Sequence, residues 1–167
     1  VRGRSPAALT KTGKVAVTQT PLPSWDLLKL RDYSSAAIQY SRGCPFNCEF
    51  CDITKLFGRE PRTKTPEQMV LELKALYDTG YRGSVFIVDD NFIGNRDHVK
   101  KLLPVLAQWQ KEKNFPFHFF TEASMDLAWD ANKEILYGMA QAGFDSVFLG
   151  IESTDPNVLK LMKKGQN

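Results

Sequence analysis

Hydrophobic and polar positions from residue 65 onward alternate between strand-like and helix-like segments. Short runs rich in apolar residues occupy residues 84–88, 115–120 and 146–151, and such runs are typical of strands buried on both faces of a parallel sheet. Their first residues are equally spaced along the chain, at an interval that suits one strand, one helix and their loops. We therefore predict three strands at these positions.

Helical patterns fill the intervals between the strands. The first helix starts at Thr65, which can cap it while Gln68 completes a capping box. The second carries an apolar stripe but contains Pro104, which we expect to kink or divide it. The third covers about residues 131–141, and residues 154–156 cap a last helix.

Residues 36–40 add a fourth strand ahead of these units. Alternating strands and helices imply a parallel sheet with the helices outside it. We therefore predict an α/β fold: a partial (β/α) barrel of parallel strands with outer helices, made of about four βα units. The last strand would leave one edge of the sheet unpaired unless further residues complete it.

The first 35 residues lack this periodicity. Residues 1–14 are small, polar and basic and suggest a flexible lead-in, and residues 15–17 could add a short strand. Prolines and apolar anchors follow, which is typical of a connector that docks on its neighbour. We interpret residues 1–35 as an inter-domain linker and residues 36–167 as a core domain truncated at its carboxyl-terminal side. The first residue is not Met, so we expect a piece of a longer protein.

Charge and composition narrow the classes of function. The 167 residues are 43% hydrophobic, and 22 Lys and Arg against 19 Asp and Glu leave a formal charge of +3. This excess is too small to indicate nucleic acid as a partner. Lys160, Lys163 and Lys164 lie where the last helix should end, a favourable place for positive charge. No apolar run approaches the roughly 18 residues of a transmembrane segment.

All three cysteines of the chain, Cys44, Cys48 and Cys51, lie in one loop with the spacing C-x3-C-x2-C. A loop of this kind can direct its thiolates around one iron–sulfur cube, which usually has four cysteine ligands. Three ligands leave one iron with an open position where a small molecule could bind. The motif therefore indicates a catalytic cluster rather than a purely electron-carrying one. Clustered free thiols, with no signal-peptide pattern, also suit a cytoplasmic protein.

Zinc, disulfide bonding and chance clustering remain alternatives for the three cysteines. A structural zinc site needs four ligands, and the two histidines, His98 and His118, lie far along the chain. A disulfide framework normally has an even number of cysteines in a small secreted domain. Unrelated buried cysteines would have to cluster by chance. An iron–sulfur site is the interpretation that these residues favour.

Acidic residues follow the other predicted strands. Asp89 and Asp90 end the second strand, Glu122 the third and Glu152 the fourth. Each could simply cap a helix or form a turn. Ligands of parallel α/β folds, however, bind beyond the carboxyl ends of the strands. Carboxylates there would suit an amino group, a sulfonium or a ribose, and S-adenosyl-L-methionine (SAM) contains all three.

The cysteine motif, with Phe50 before the last cysteine, resembles the signature of radical SAM enzymes. Residues 21–28, 48–53, 88–95 and 150–153 resemble cobalamin-dependent members of the hopanoid C-2 methylase type. That branch is grouped with the anaerobic magnesium-protoporphyrin IX monomethyl ester oxidative cyclases. The resemblance covers about residues 36–167.

The resemblance implies roles for the residues that match the motifs. The three cysteines would bind three irons of a 4Fe–4S cluster, and Phe50 would border the adenine of SAM. Asp89 and Asp90 would meet the methionine amino group. Glu122 would contact the methionyl part, and Glu152 would lie near the ribose. No catalytic residue is assigned.

The resemblance also implies an activity: reductive cleavage of SAM, followed by radical functionalisation of an unactivated carbon. The leading hypothesis is cobalamin-dependent methylation of a lipid-like substrate, with the cobalamin domain preceding residue 1 in the full-length protein. Oxidative ring closure on a tetrapyrrole is the alternative within the family. A protein of another class, an iron–sulfur electron carrier or a metal-stabilised binding module, is the third hypothesis. A one-electron reductant such as flavodoxin or ferredoxin is the implied partner, and we expect the chain alone to be poorly active.

Overall fold

The computed structural model describes residues 16–167. Its strands are β1 (Ala36–Ile38), β2 (Ser41–Arg42), β3 (Arg62–Thr63), β4 (Gly83–Ile87), β5 (Phe117–Ala123) and β6 (Phe144–Leu149). Its helices are α1 (Ile53–Leu56), α2 (Pro66–Asp78), α3 (Arg96–Glu112), α4 (Lys133–Gln141) and α5 (Pro156–Leu161). The predicted lead-in at residues 1–14 lies outside the described residues.

Four of the strands form one sheet in the order β1-β4-β5-β6, and every neighbouring pair is parallel. Ile87 lies opposite Ile38 on one side and opposite Thr121 on the other. Consecutive strands of the sheet are thus neighbours in space, with α2, α3 and α4 as the crossovers. The predicted α/β fold with parallel strands and outer helices is confirmed.

The main hydrophobic core lies between one face of this sheet and the three crossover helices. Val85 and Phe119 are fully buried on the sheet side, and Leu73, Leu106 and Ile135 are fully buried on the helix side. Each such side chain contributes about 1.5–3 kcal/mol when it leaves water. Alternation along the strands sends other side chains to the opposite face, which stays exposed over much of β5 and β6. That face and the strand ends therefore remain accessible in this chain.

The predicted start of α2 is confirmed. Thr65 Oγ1 accepts the backbone N–H of Gln68, and the Gln68 side chain accepts the N–H of Thr65. Gln68 also donates its side-chain N–H to the carbonyl of Thr18 at 2.8 Å. This bond, together with the buried ring of Trp25, packs the segment before β1 against the core.

Several predicted elements need correction. The helix α3 is not divided at Pro104, because this proline is exposed and water can satisfy the carbonyl that its missing N–H leaves free. Strand β5 begins at Phe117 instead of Phe115, because Asn114 and Phe115 adopt left-handed backbone angles and form a turn. Val17 begins a 3-10 turn and not a strand; Val15 lies outside the described residues.

A small antiparallel ribbon of β2 and β3 was not predicted from the sequence. Ser41 pairs with Thr63, and Arg42 pairs with Arg62. The predicted first strand ends at Ile38 and the chain then turns into this ribbon, which brackets the cysteine loop. Strands of two residues carry too little alternation to be recognised.

No helix in the described part of the chain combines the length and apolar character that crossing a membrane requires.

Candidate functional site

A cavity of about 370 Å³ opens at the carboxyl ends of β4, β5 and β6, a size typical of small-molecule sites. Its wall brings together most of the residues predicted from the sequence to form a site: Cys44, Cys48, Cys51, Phe50, Asp90, Glu122 and Glu152. The cysteine loop forms one side of the cavity, and the ends of the strands form the other. Residues more than 100 positions apart in the chain thus meet at one place.

The cysteine loop is held by close backbone contacts. Gly43 has a φ of 104°, and a Cβ atom there would lie 2.9 Å from the carbonyl oxygen of Gly58. The N–H of Cys44 donates to that same carbonyl at 3.3 Å. Arg59 donates to the carbonyl of Pro45 at 3.1 Å. Only glycine fits at position 43 without displacing the opposite strand of the loop.

Asp89 is the one predicted site residue that does not line the cavity. It is buried, and its two carboxylate oxygens accept the backbone N–H groups of Tyr40 and Ser41, each at 2.8 Å. Burial raises its pKa to about 6, and the N–H donors of Ser41 and Tyr40 oppose this rise. In place of the predicted contact with an amino group, the structure gives Asp89 the role of joining the end of β4 to the start of the cysteine loop.

Asp90, the next residue, does line the cavity. One of its oxygens accepts the N–H of Gly43 at 3.4 Å, and burial raises its pKa. Adjacent carboxylates thus have different roles: Asp89 holds the backbone at Tyr40 and Ser41, and Asp90 lines the cavity.

Asn91 is a site residue that the sequence did not single out. Its side-chain N–H donates to the sulfur of Cys44 at 3.8 Å and to the hydroxyl oxygen of Ser124 at 3.0 Å. Burial raises the pKa of the Cys44 thiol, opposed by hydrogen bonds from the Phe46 backbone and Asn91. The Asp-Asp-Asn sequence that follows β4 was the only signal in the sequence for this role of Asn91.

The segment after α5 forms another unpredicted wall. The carbonyl of Met162 accepts the N–H of Glu49 at 2.9 Å, and Gln166 donates to the sulfur of Cys48 at 3.3 Å. Lys164 is buried and forms an ion pair with Glu152. Its position near a helix end therefore accounts for only part of its role, because Lys164 also brings positive charge to the wall of the cavity.

In residues 16–167, no three Cys, His, Asp or Glu side chains converge as a single metal ion requires. An iron–sulfur cube presents its irons at separate corners, so its thiolate ligands stand apart from one another. The three thiols line the wall of one cavity.

Comparison with known protein families assigns this chain to a family. The model of the radical SAM superfamily matches residues 38–167. The chain belongs to the radical SAM superfamily. The resemblance seen in the cysteine motif is therefore confirmed, and the radical SAM match covers every residue that lines the cavity.

Curated relatives of this radical SAM chain include methylases. An uncharacterised methyltransferase of Synechocystis is 53% identical over 99% of the chain. The hopanoid C-2 methylase of Rhodopseudomonas palustris is 45% identical, also over 99% of the chain. The chain spans 31% of the length of each of these relatives. The resemblance to the hopanoid C-2 methylase type is thus confirmed at the level of sequence.

The fold of the radical SAM chain also matches a solved structure. The radical SAM methyltransferase TsrM of Kitasatospora setae, solved with tryptophan substrate and a SAM analogue, superposes with a TM-score of 0.69 at 18% identity. The match covers 83% of this chain and 26% of TsrM. This likeness supports the fold: the partial barrel predicted from the sequence is part of a radical SAM barrel.

Proposed function

We propose that this chain is the cluster-binding and cofactor-binding core of a radical SAM methylase. One observation carries the proposal: three cysteine thiols and three carboxylates, from several separate segments, share one cavity at the carboxyl ends of parallel strands. Thiols alone would suit an electron carrier. The carboxylates opposite them supply partners for the polar groups of a bound SAM molecule.

The residues present fit a 4Fe–4S cluster with three protein ligands. Cys44, Cys48 and Cys51 would hold three irons and would leave the fourth without a protein ligand, available to SAM. Side-chain N–H groups of Asn91 and Gln166 already point at two of the sulfurs, and a metal-bound sulfur can only accept hydrogen bonds. When bound, the reduced cluster supplies the electron that cleaves SAM. Its reduction would require a one-electron donor such as flavodoxin or ferredoxin.

The carboxylates would bind the positive and hydroxyl-bearing parts of SAM. Asp90 and Glu122 would accept hydrogen bonds from its amino group, and Glu152 from the ribose hydroxyls. Lys164 pairs with Glu152 and offsets its charge, so the wall presents both signs to a ligand that also carries both. The exposed ring of Phe50 lies on the wall, where an adenine could stack on it.

Methylation of a lipid-like substrate with cobalamin is the reaction that we propose for the whole protein. The 45% sequence identity to a hopanoid C-2 methylase, over 99% of the chain, supports this proposal. The cobalamin domain would lie outside this chain. Ring closure on a tetrapyrrole is the alternative, and an assay with SAM and methylcobalamin separates the two reactions. Methylation adds one methyl group to the substrate, whereas ring closure removes hydrogen.

Anaerobic reconstitution of the full-length protein tests the proposal. Protein supplied with iron and sulfide is reduced and examined by electron paramagnetic resonance with and without SAM. A cubane signal that shifts on adding SAM supports the enzyme. Bound zinc in place of iron, or a signal that does not respond to SAM, would instead indicate a metal-stabilised module or an electron carrier.

Replacement of one ligand gives the first testable prediction. Cys48→Ala should abolish cluster assembly, because two thiolates leave two irons without protein ligands. Iron and sulfide content per chain measures this loss. His118→Ala is the control, since His118 is exposed, faces Asp145 and does not line the cavity. A full cluster in Cys48→Ala would disprove the ligand assignment.

A further inference from the structure

Two buried carboxamides from separate segments of the chain donate hydrogen bonds to cysteine sulfurs in the cavity. Asn91 Nδ2 lies 3.8 Å from Cys44 Sγ, and Gln166 Nε2 lies 3.3 Å from Cys48 Sγ. Asn91 is 2% exposed and Gln166 is 5% exposed. Both side chains are thus ordered by their surroundings and shielded from water, which strengthens a hydrogen bond to sulfur.

The orientation of the Asn91 amide is determined by Ser124. The backbone N–H of Ser124 donates to Asn91 Oδ1 at 3.3 Å, so the oxygen end of the amide is engaged. The nitrogen end donates to the hydroxyl oxygen of Ser124 at 3.0 Å and to Cys44 Sγ at 3.8 Å. Ser124 is held in turn by Asp126, which also pairs with Arg96. A chain of polar contacts therefore keeps one N–H directed at the sulfur.

The position of Gln166 is determined by the contacts of the preceding residues with the cysteine loop. Glu49 follows Cys48 directly, and it bonds Met162 through its backbone and Lys163 through its carboxylate, at 2.9 and 2.5 Å. These contacts set the register between the loop and the segment that carries Gln166. The amide of Gln166 then reaches Cys48.

The orientation of the Gln166 amide that directs its N–H at the sulfur leaves its oxygen unsatisfied. Among the described residues, no donor reaches its buried Oε1 atom, and an unsatisfied buried acceptor is destabilising. The opposite orientation would place that oxygen against the sulfur, where two acceptors repel once the sulfur binds metal. The arrangement is therefore the one that serves a metal-bound sulfur.

We infer that Asn91 and Gln166 are positioning residues that raise the reduction potential of the cluster. The inference rests on the proposed function, since it requires a cluster on these cysteines. Each N–H presents the positive end of its dipole to a sulfur. Reduction adds one negative charge to the cluster, which these dipoles stabilise, and hydrogen bonds to sulfur are a known determinant of cluster potential. The two amides make the cluster easier to reduce by its electron donor.

Redox titration of the reconstituted full-length protein tests this role. Gln166→Leu removes the donor and also the unsatisfied oxygen. Asn167→Leu is the matched control, because the exposed amide of Asn167 bonds the carbonyl of Ile151 and no sulfur. In Gln166→Leu, the ratio of reduced to oxidised cluster at a fixed solution potential should fall about tenfold, a shift of about 59 mV for one electron. The control should keep the wild-type ratio.

If Gln166→Leu assembles no cluster, a second measurement on the wild-type protein still tests the inference. Electron–nuclear double resonance of the reduced cluster, with 15N-labelled glutamine, should detect an exchangeable proton and a nitrogen coupled to the cluster. Absence of both couplings, or equal potentials in wild type and Gln166→Leu, overturns the inference while leaving a SAM-responsive cluster intact. Absence of any cluster in the wild type overturns the proposed function as well.

Discussion

Asp89 is a buried carboxylate that holds two backbone amides of the chain leading into the cysteine loop. Its oxygens accept the N–H groups of Tyr40 and Ser41, which would otherwise be buried without partners. The side chain therefore determines the path of the backbone between the first strand and the cysteines. Asp89 contributes to the site through the path of the backbone, since its side chain does not line the cavity.

Replacing Asp89 tests that role. Asp89→Asn leaves one acceptor oxygen for two donors, because the new amide nitrogen would face an N–H group. We expect the free energy of unfolding to fall by about 1–3 kcal/mol, together with faster hydrogen exchange at the amides of Tyr40 and Ser41. Asp145→Asn, at an exposed carboxylate on β6, is the control and should change neither. Unchanged exchange at both amides in Asp89→Asn would contradict this role.

The same carboxyl group predicts a pH dependence. Burial raises its pKa from the ordinary value of 3.8 to about 6 in the folded protein, so the folded state binds more protons than the unfolded state between these values. The contribution of Asp89 to stability should therefore fall as pH rises from about 4 to about 6 and stay level above that. Unfolding of wild type and Asp89→Asn at several pH values checks this: the advantage of the wild type should be larger at about pH 4 than at about pH 7.

At the scale of elements, the cysteine loop is shaped by two glycine-dependent turns that nearly touch. The left-handed backbone of Gly43 lets the loop pass within contact of the carbonyls of Gly58 and Glu60. The ribbon of β2 and β3 closes the same loop at its base. The thiols are thus presented by a loop whose ends are paired, and their positions depend on that pairing.

Gly43→Ala tests how closely the loop geometry is tied to cluster binding. The new Cβ would lie 2.9 Å from the Gly58 carbonyl oxygen and 3.0 Å from that of Glu60, at a φ unfavourable for alanine. We expect a loss of about 1–3 kcal/mol in stability and a lower iron content after reconstitution. Gly165→Ala, where a Cβ meets no atom within 4 Å, is the control and should retain both. Normal iron content in Gly43→Ala would show that the loop tolerates a shift.

At the scale of the whole molecule, the crossover helices of the described residues pack on one face of the sheet. Phe148, Leu149 and Ile151 are exposed near its last strand, and among the described residues β6 pairs only with β5. Exposed apolar groups beside a free strand edge favour association. The described part of the chain thus has an unpaired strand edge with exposed apolar residues beside the proposed active site.

We expect this chain, prepared by itself, to self-associate through that edge. Ile151→Ser should lower the association measured by sedimentation velocity, because it removes an exposed apolar group beside β6. Leu161→Ser removes an exposed apolar group on α5 and is the matched control, which should leave association unchanged. Equal association of the two variants would show that the edge is not the contact.

Much of the fold follows from local patterns. The capping box at Thr65, the apolar run of β4 and the alternation of strands with helices all act over short segments, and the structure confirms each of them. Errors occur where the surroundings of a residue decide the outcome: α3 is not divided at Pro104 because this proline faces solvent, and the first strand ends early because Asp89 accepts the N–H of Tyr40. Local periodicity carries no information about either.

The sequence by itself determined the family, the parallel α/β architecture and the cysteines, because periodicity and motif spacing are properties of short segments. Tertiary structure alone decided that Asp89 serves the backbone while Asp90 faces the cavity, and that Asn91 and Gln166 meet the sulfurs. Cys48 and Gln166 are separated by 118 residues along the chain. Contacts of this kind depend on how the whole sheet brings its strand ends together, so no local pattern predicts them.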